Sequence, residues 1–506
     1  MTEATSPLSG SALASSSASS SASASPSSPA SSSVGASAED RNALLATLRE
    51  RLGDNQVLTG EDVTRRQVDW LSGAACRAAA IVRPGTPQEV AEVLTLCHQV
   101  RQPVVTHGGL TGLVHGAEAE PDELVLSLER LTRIEDLDPL AGTITVQAGV
   151  PLQQVQEAAR EVDMQFPLDL GARGSCTIGG NIATNAGGNR VIRYGMMRQQ
   201  VLGLEAVLAD GQVISAMSPM LKNNAGYDLK QLFIGSEGTL GVVTRAVLRL
   251  QPALSDARTA LIACPDFASM TALLAHLRDR LGGGLAAFEA MWRNHLTLIT
   301  ANGRHSAPLE LDAPYYALVE SLSGDGPHHQ AQFESALESA FEQGWASDAV
   351  IAQSDTQRER LWAIRDDIEG LVEALSPLMA FDISLPIAAM QDYVDEVESA
   401  LTTRWPQAQL AVFGHLGDGN LHLSVGVGSN DAETRHGVEA CLYRPLADRQ
   451  GSISAEHGIG LEKRDWLSIS RSPEELALMA TLKRSLDPLG LLNRHKVVPW
   501  TAAQDH

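Results

Sequence analysis

The chain has 506 residues, 44% of them hydrophobic and 20% charged, with a formal net charge of −23 and a pI near 5.0. That length allows two or three domains with ample core, and the acidity excludes nucleic acid or an anionic membrane surface as the main partner, since both repel such a protein. Five widely spaced cysteines, Cys76, Cys97, Cys176, Cys264 and Cys441, form no CxxC pair, so reduced thiols in a cytoplasmic protein are expected rather than a disulfide framework or a thiolate zinc site.

Residues 1–38 are almost entirely Ser, Ala, Pro and Gly and are predicted to be a disordered tail, because nothing in them can build a core. No Lys or Arg precedes Arg41 and no apolar run is present, so the features of a secretory signal are missing. Elsewhere no apolar run approaches the ~20 residues of a membrane span, which predicts no integral membrane segment and leaves peripheral attachment open. Ile81-Val82-Arg83-Pro84-Gly85-Thr86-Pro87 reads as a strand, a turn and a helix starting near Pro87, with Thr86 as N-cap. The next strand, around Val104-Val105-Thr106, enters Gly108-Gly109-Leu110-Thr111-Gly112. Successive N–H groups in such a loop can face one anion, a means of holding a diphosphate without cationic side chains; an ordinary strand-to-helix turn is the alternative reading. Alternation marks strands at Ile144–Ala148 and Val242–Leu250. Between them the segment from Gly171 to Asn189 reads as a second glycine-rich loop. There Gly179-Gly180 and Gly187-Gly188 admit a flat ligand, and Thr177, Asn181 and Asn185 offer polar groups to its edge. Neither GxGxxG nor a GxxxxGK[ST] P-loop occurs, so a diphosphate cofactor needs a different cradle.

Farther on, His415-Leu416-Gly417-Asp418-Gly419-Asn420-Leu421-His422 is followed by Glu456-His457-Gly458. Two imidazoles and a carboxylate suit Zn²⁺ or another divalent cation with room left for water or substrate. The glycines forbid a regular helix, so a turn must aim the two histidines. His457, next to one candidate ligand but not itself one, is suited to proton transfer near neutrality.

Taken together, these segments, with Lys222-Asn223-Asn224-Ala225-Gly226-Tyr227-Asp228-Leu229 and Gly235-Ser236-Glu237-Gly238-Thr239-Leu240-Gly241, resemble the vanillyl-alcohol-oxidase (PCMH) type of FAD-linked oxidoreductase. The similarity is to its D-2-hydroxyacid dehydrogenase branch, which includes the flavin-bearing chain of glycolate oxidase, D-lactate dehydrogenase and D-2-hydroxyglutarate dehydrogenase. The resemblance implies an α+β fold: a PCMH-type FAD domain of two α+β subdomains at 39–253, an antiparallel-sheet cap domain at 254–461, and a segment at 462–506 returning to the FAD domain. It implies noncovalent FAD held by Gly108, Gly109, Thr111 and Gly112 at the pyrophosphate, and by Thr177, Gly179, Gly180, Asn181, Asn185, Gly187, Gly188, Glu237, Gly238 and Val243 along the rest. His415, His422 and Glu456 match the family's metal ligands, with zinc expected; His457 matches its base and Arg365 its substrate-carboxylate arginine. The implied reaction takes a D-2-hydroxyacid to the 2-oxoacid, with hydride passing to the flavin.

Two positions that serve the distal carboxylate in the 2-hydroxyglutarate enzymes, a threonine and a lysine, are Glu369 and Ala380 here, and an expected asparagine is Ser424. These changes point to a lactate- or glycolate-like substrate. In the C-terminal segment, Asn493-Arg494-His495-Lys496 stands where the family has Asn-Pro-Gly-Lys, so a different turn is expected. The electron acceptor is expected to be an electron-transfer flavoprotein, a quinone or a cytochrome, and a homodimer is compatible with the sequence. A zinc hydrolase and a catalytically silent flavoprotein within a larger oxidase are the competing readings.

Overall fold

The computed structural model describes residues 35–69, 73–301 and 303–499; most of the Ser/Ala segment, 1–34, lies outside them. The Ser37 hydroxyl accepts from the Asp40 N–H and caps the helix Ala38–Leu52, whose first turn carries Glu39 and Asp40 against the positive end of the helix dipole. The helix Pro87–Gln99 starts as expected, with Thr86 accepting from the Glu89 N–H.

Two larger sheets carry the first half, beside a two-stranded pairing of Met164–Gln165 with Gln251–Pro252. Val57–Leu58, Ala80–Val82, Leu124–Ser127 and Val104–His107 form one, in that order, the last three parallel. Ile134–Asp138, Thr143–Gln147, Val242–Arg249, Val201–Val207 and Val213–Ala216 form the other, antiparallel throughout. A shared core that includes Val90, Leu94, Leu126, Val146 and Leu248 joins the two. The second glycine-rich segment is not all loop: Ile178–Thr184 is a helix capped by Thr177. Its glycines permit close packing, since a Cβ on Gly179 would lie 2.6 Å from the Ala148 Cβ, and one on Gly109 would strike the Ser175 carbonyl oxygen.

The second half is built on a seven-stranded antiparallel sheet. Its order is Asp348–Ile351, Asp256–Cys264, Tyr315–Ser323, Leu285–Trp292, Gln409–His415, Asn420–Gly426 and Leu378–Ser384. Successive side chains of a strand point to opposite faces. One face, with Leu410, Val412, Leu421, Leu423 and Phe381, packs on the helices Phe267–Leu281, Gly326–Glu342, Met390–Arg404 and Ala432–Tyr443. On the other, Ala411, Phe413 and Met291 pack under Leu296, Ile299, Leu361 and Ile364. The residues that alternate with the first set, Glu289, His415, His422 and Asp382, therefore share this second face.

The C-terminal segment runs back onto the first half. Leu492 bridges Val104 in parallel, and the Lys483 ammonium, on the helix Pro473–Leu486, donates to the carbonyls of Thr239 (2.8 Å) and Leu492 (2.7 Å) and pairs with Asp487 (2.6 Å). The altered turn bends without glycine: Asn493, His495 and Val497 have φ of 42°, 65° and 64°. Asp487 is fully buried, so Asp487→Ala strands a buried ammonium and should cost about 3–5 kcal/mol, read as a lower urea midpoint. An unchanged midpoint would refute this account of the brace.

Candidate active site

The site begins with a carboxylate on an interior strand. Glu289 faces His415 across the sheet and is 1% exposed. It accepts from His415 Nδ1 at 2.8 Å and from Arg365 Nε at 2.9 Å and Nη2 at 2.7 Å. With Nδ1 donating to Glu289, Nε2 of His415 is the nitrogen turned toward Glu456, 3.7 Å away. Arg365, the last residue of the helix Asp355–Arg365, also pairs with Asp366 at 3.0 Å and lies over the Phe413 ring at 5.2 Å. One edge of its guanidinium fork is thus held by Glu289.

The expected turn aims the histidines: the strand ends at His415, Leu416–Asp418 make one 3₁₀ turn, Gly419 has φ 88°, and the return strand carries His422. The third member arrives on a loop fixed by a second buried carboxylate. Asp382, register partner of His422, is 0% exposed, and its Oδ2 accepts the N–H groups of Ala455 (3.0 Å), Glu456 (2.8 Å) and His457 (3.0 Å). That grip places Glu456 Oε2 3.9 Å from His422 Nε2, while its Oε1 accepts from the Gly188 N–H at 2.6 Å. The His457 ring lies 6.2 Å from that of His422, nearly parallel, and no hydrogen bond to its ring nitrogens is present among the described residues.

Donor atoms of His415, His422 and Glu456 lie within 4.8 Å of one another, and their electrostatics fit a cation. Against the cost of burial, Glu289 and Glu456 hold the His415 imidazole up at about 10, so a cation bound between these carboxylates would displace its proton. Burial, reinforced by His415, pushes His422 down to about 3, leaving it neutral as a ligand must be. Glu456 is held at about 2, the attraction of His415 and His422 outweighing burial. His457 is lowered, chiefly by burial, and so is a neutral imidazole able to accept a proton. The residues present therefore fit a divalent cation.

The expected cofactor residues also converge. A Cβ on Gly108 would lie 2.8 Å from Thr177 Oγ1, and the Glu237 and Gly235 N–H groups donate to Ala183 and Ile182. Gly112 is exposed with open space beside it, and Thr111 is half-buried. Such a glycine-lined meeting of three segments fits a flat dinucleotide. Several side chains there are occupied by the protein itself. Thr177 caps Gly180 and Asn181 donates to the Cys176 sulfur, whereas Asn185 caps its helix in the left-handed conformation and accepts from Arg198 N. The Glu237 carboxylate accepts the N–H groups of Ile459 and Gly460, both at 2.8 Å. Val243 is a core residue of the five-stranded sheet. Backbone and glycine surfaces, more than these side chains, are what the segments offer a ligand.

Comparison with known proteins bears on this arrangement directly. Residues 78–216 match a family described as FAD binding domain, and 254–497 match FAD linked oxidases, C-terminal domain. A mitochondrial D-2-hydroxyglutarate dehydrogenase of Bos taurus is 40% identical over 456 residues, covering 90% of this chain and 83% of the relative. The chain belongs to the FAD-linked D-2-hydroxyacid dehydrogenases. A D-2-hydroxyglutarate dehydrogenase of Xanthomonas citri pv. viticola is 43% identical to this dehydrogenase over 437 residues, 85% of the chain and 91% of the relative. A mitochondrial protein of Schizosaccharomyces pombe, provisionally named D-lactate dehydrogenase, is 37% identical over 446 residues, 86% and 85% of the two chains. Among solved structures, p-cresol methylhydroxylase with substrate bound shares the fold, with a TM-score of 0.74 at 16% identity, over 92% of this chain and 98% of that one. The membership answers the zinc-hydrolase reading. Among the described residues of the dehydrogenase, no helix is long and apolar enough to cross a membrane.

Two residues escaped the sequence reading, Glu289 and Asp382. Each is a lone carboxylate inside an apolar strand, AAFEAMW and AFDIS, and a charge at a position that must be buried is the signal that marks them.

Proposed function

We propose that this dehydrogenase oxidises a monocarboxylic D-2-hydroxyacid of the lactate or glycolate type. The observation that carries the reading is the row of small side chains beside the histidines. Ala411, Ser424 and Ala380 are register partners on the face that bears Phe413, His422 and Asp382, two residues along the strands. Glu369 is engaged by Arg304 at 2.8 Å. No cation is contributed at Ala380 or Ser424, so a second substrate carboxylate lacks the counter-charge it would need there. The names of the bovine and Xanthomonas relatives favour D-2-hydroxyglutarate instead, and that is the second reading.

FAD, when bound, supplies the hydride acceptor, and a divalent cation held by His415, His422 and Glu456 would supply Lewis acidity toward the substrate hydroxyl. The chain does the rest. Arg365, fixed by Glu289, presents its remaining N–H groups to the substrate carboxylate. His457 takes the hydroxyl proton onto its neutral imidazole, and Asp382 holds His457 and Glu456 in one rigid loop so that binding and proton transfer share a geometry. An electron-transfer flavoprotein, a quinone or a cytochrome would be the partner that takes the electrons on. The five free cysteines support a reducing compartment, cytoplasm or organelle matrix alike.

The test is an anaerobic visible titration of the purified protein with D-lactate, glycolate, D-malate and D-2-hydroxyglutarate. D-lactate or glycolate should bleach the flavin band near ~450 nm while L-lactate does not. Bleaching by D-2-hydroxyglutarate at far lower concentration would overturn the substrate assignment and leave the reaction class intact.

A further inference from the structure

Glu320 is a carboxylate inside the apolar strand Tyr315–Ser323, and it is 0% exposed. A buried charge needs partners, and those it has come from distant parts of the chain. Its Oε1 accepts from Arg190 Nε and Nη2, both at 2.9 Å. Its Oε2 accepts from the Trp362 indole N–H at 3.1 Å and from the Thr259 hydroxyl at 3.5 Å. Glu320 is the register partner of Ala287, two residues before Glu289, and directly opposed residues of a pair share a face of the sheet. The two carboxylates therefore lie on neighbouring strands under one helix, Asp355–Arg365, and each holds one of its residues.

Those residues, Trp362 and Arg365, are three apart and so are neighbours on one face of the helix. Arg365 is its last residue, at the end where helices fray first, and Glu289 grips only the guanidinium at the tip of a long side chain. The indole anchor acts one turn back, on the backbone that carries the arginine. At the other oxygen, Arg190, also paired with Asp169 at 3.2 Å, follows Gly188, whose N–H holds Glu456 at 2.6 Å. One carboxylate thus ties the helix that presents Arg365 to the segment that backs Glu456. We propose that Glu320 is a positioning residue: through Trp362 it sets where the Arg365 guanidinium meets the substrate carboxylate. This rests on the reading of Arg365 given above and deepens it. Misplacing such a contact by about 1 Å is enough to cost about 10²-fold in rate.

The experiment pairs each acid with its 1-amide, which keeps the hydroxyl and loses the carboxylate charge: D-lactate with D-lactamide, glycolate with glycolamide, and D-2-hydroxyglutarate with its 1-amide. Rates of anaerobic flavin bleaching are measured on the flavin-loaded parent and on Trp362→Phe, Glu320→Gln, their double variant and Arg365→Met. The parent should favour the acid by about tenfold or more. Trp362→Phe removes the indole N–H, and Glu320→Gln leaves one oxygen for two donors. Each should lower the acid-to-amide ratio by about threefold or more, and the double variant should lose little beyond either, since both break the same link. An unchanged ratio in either folded single variant, equal slowing of acid and amide as a mere structural brace would give, or additive losses in the double variant would overturn the inference while the reading of Arg365 stands. If Arg365→Met keeps the parent ratio, or if no acid bleaches the parent's flavin, that reading falls and takes this inference with it.

Discussion

His457→Ala is expected to keep its flavin spectrum and its metal content while kcat falls by about 10²–10⁴, the usual worth of a positioned proton acceptor. The size of the effect follows from how little else the ring does. Its nitrogens make no hydrogen bond among the described residues, whereas the backbone N–H that fastens the loop to Asp382 (3.0 Å) is untouched by the substitution. Structure and cofactor should therefore survive and proton transfer should not. Stopped-flow bleaching by saturating substrate reads the step directly. A variant that reduces its flavin at the parent rate would remove His457 from the base role.

Asp382→Ala should do the opposite, damaging the scaffold before the chemistry. The carboxylate holds three successive N–H groups and takes Asn420 Nδ2 at 2.8 Å, with the Lys463 ammonium 4.0 Å away. Removing it leaves a buried cation and several donors without partners, at about 3–5 kcal/mol. Glu456 sits on the released loop, so metal affinity should fall about 10–100-fold. Asp382→Asn is the milder probe: it keeps the shape but halves the acceptors. Thermal unfolding and metal analysis after dialysis separate the two effects. An Asp382→Asn protein with normal metal content and normal turnover would show that the loop holds itself.

How much of this could be read from the residues depends on how local each signal is. His415, His422, Glu456 and His457 announced themselves because glycine-broken turns and adjacent polar groups are visible within a few positions. The strands at Thr143–Gln147 and Val242–Arg249 were legible from alternation alone. Glu289 was not, since its partner His415 is 126 residues away and only sheet register brings them together. The helix Ile178–Thr184 was hidden for a related reason. Two glycines and an asparagine argue against helix locally, but Gly179 packs against Ala148 where a side chain would clash, and tertiary contact overrules propensity. Asn181 and Asn185, read as ligand-edge groups, lie in and at the end of that helix, where Asn181 donates to the Cys176 sulfur and Asn185 accepts from the Arg198 N–H.

The C-terminal turn carries a consequence for biosynthesis. Asn493 accepts from the Thr106 N–H and donates to the Glu237 carbonyl, while Lys496 holds the carbonyls of Gly116 and Glu118. The strand that feeds the first glycine loop is thus fastened to a residue 387 positions downstream. A nascent chain cannot close that clasp until Asn493 and Lys496 have left the ribosome, so the strand that feeds the first glycine loop is fastened only late in synthesis.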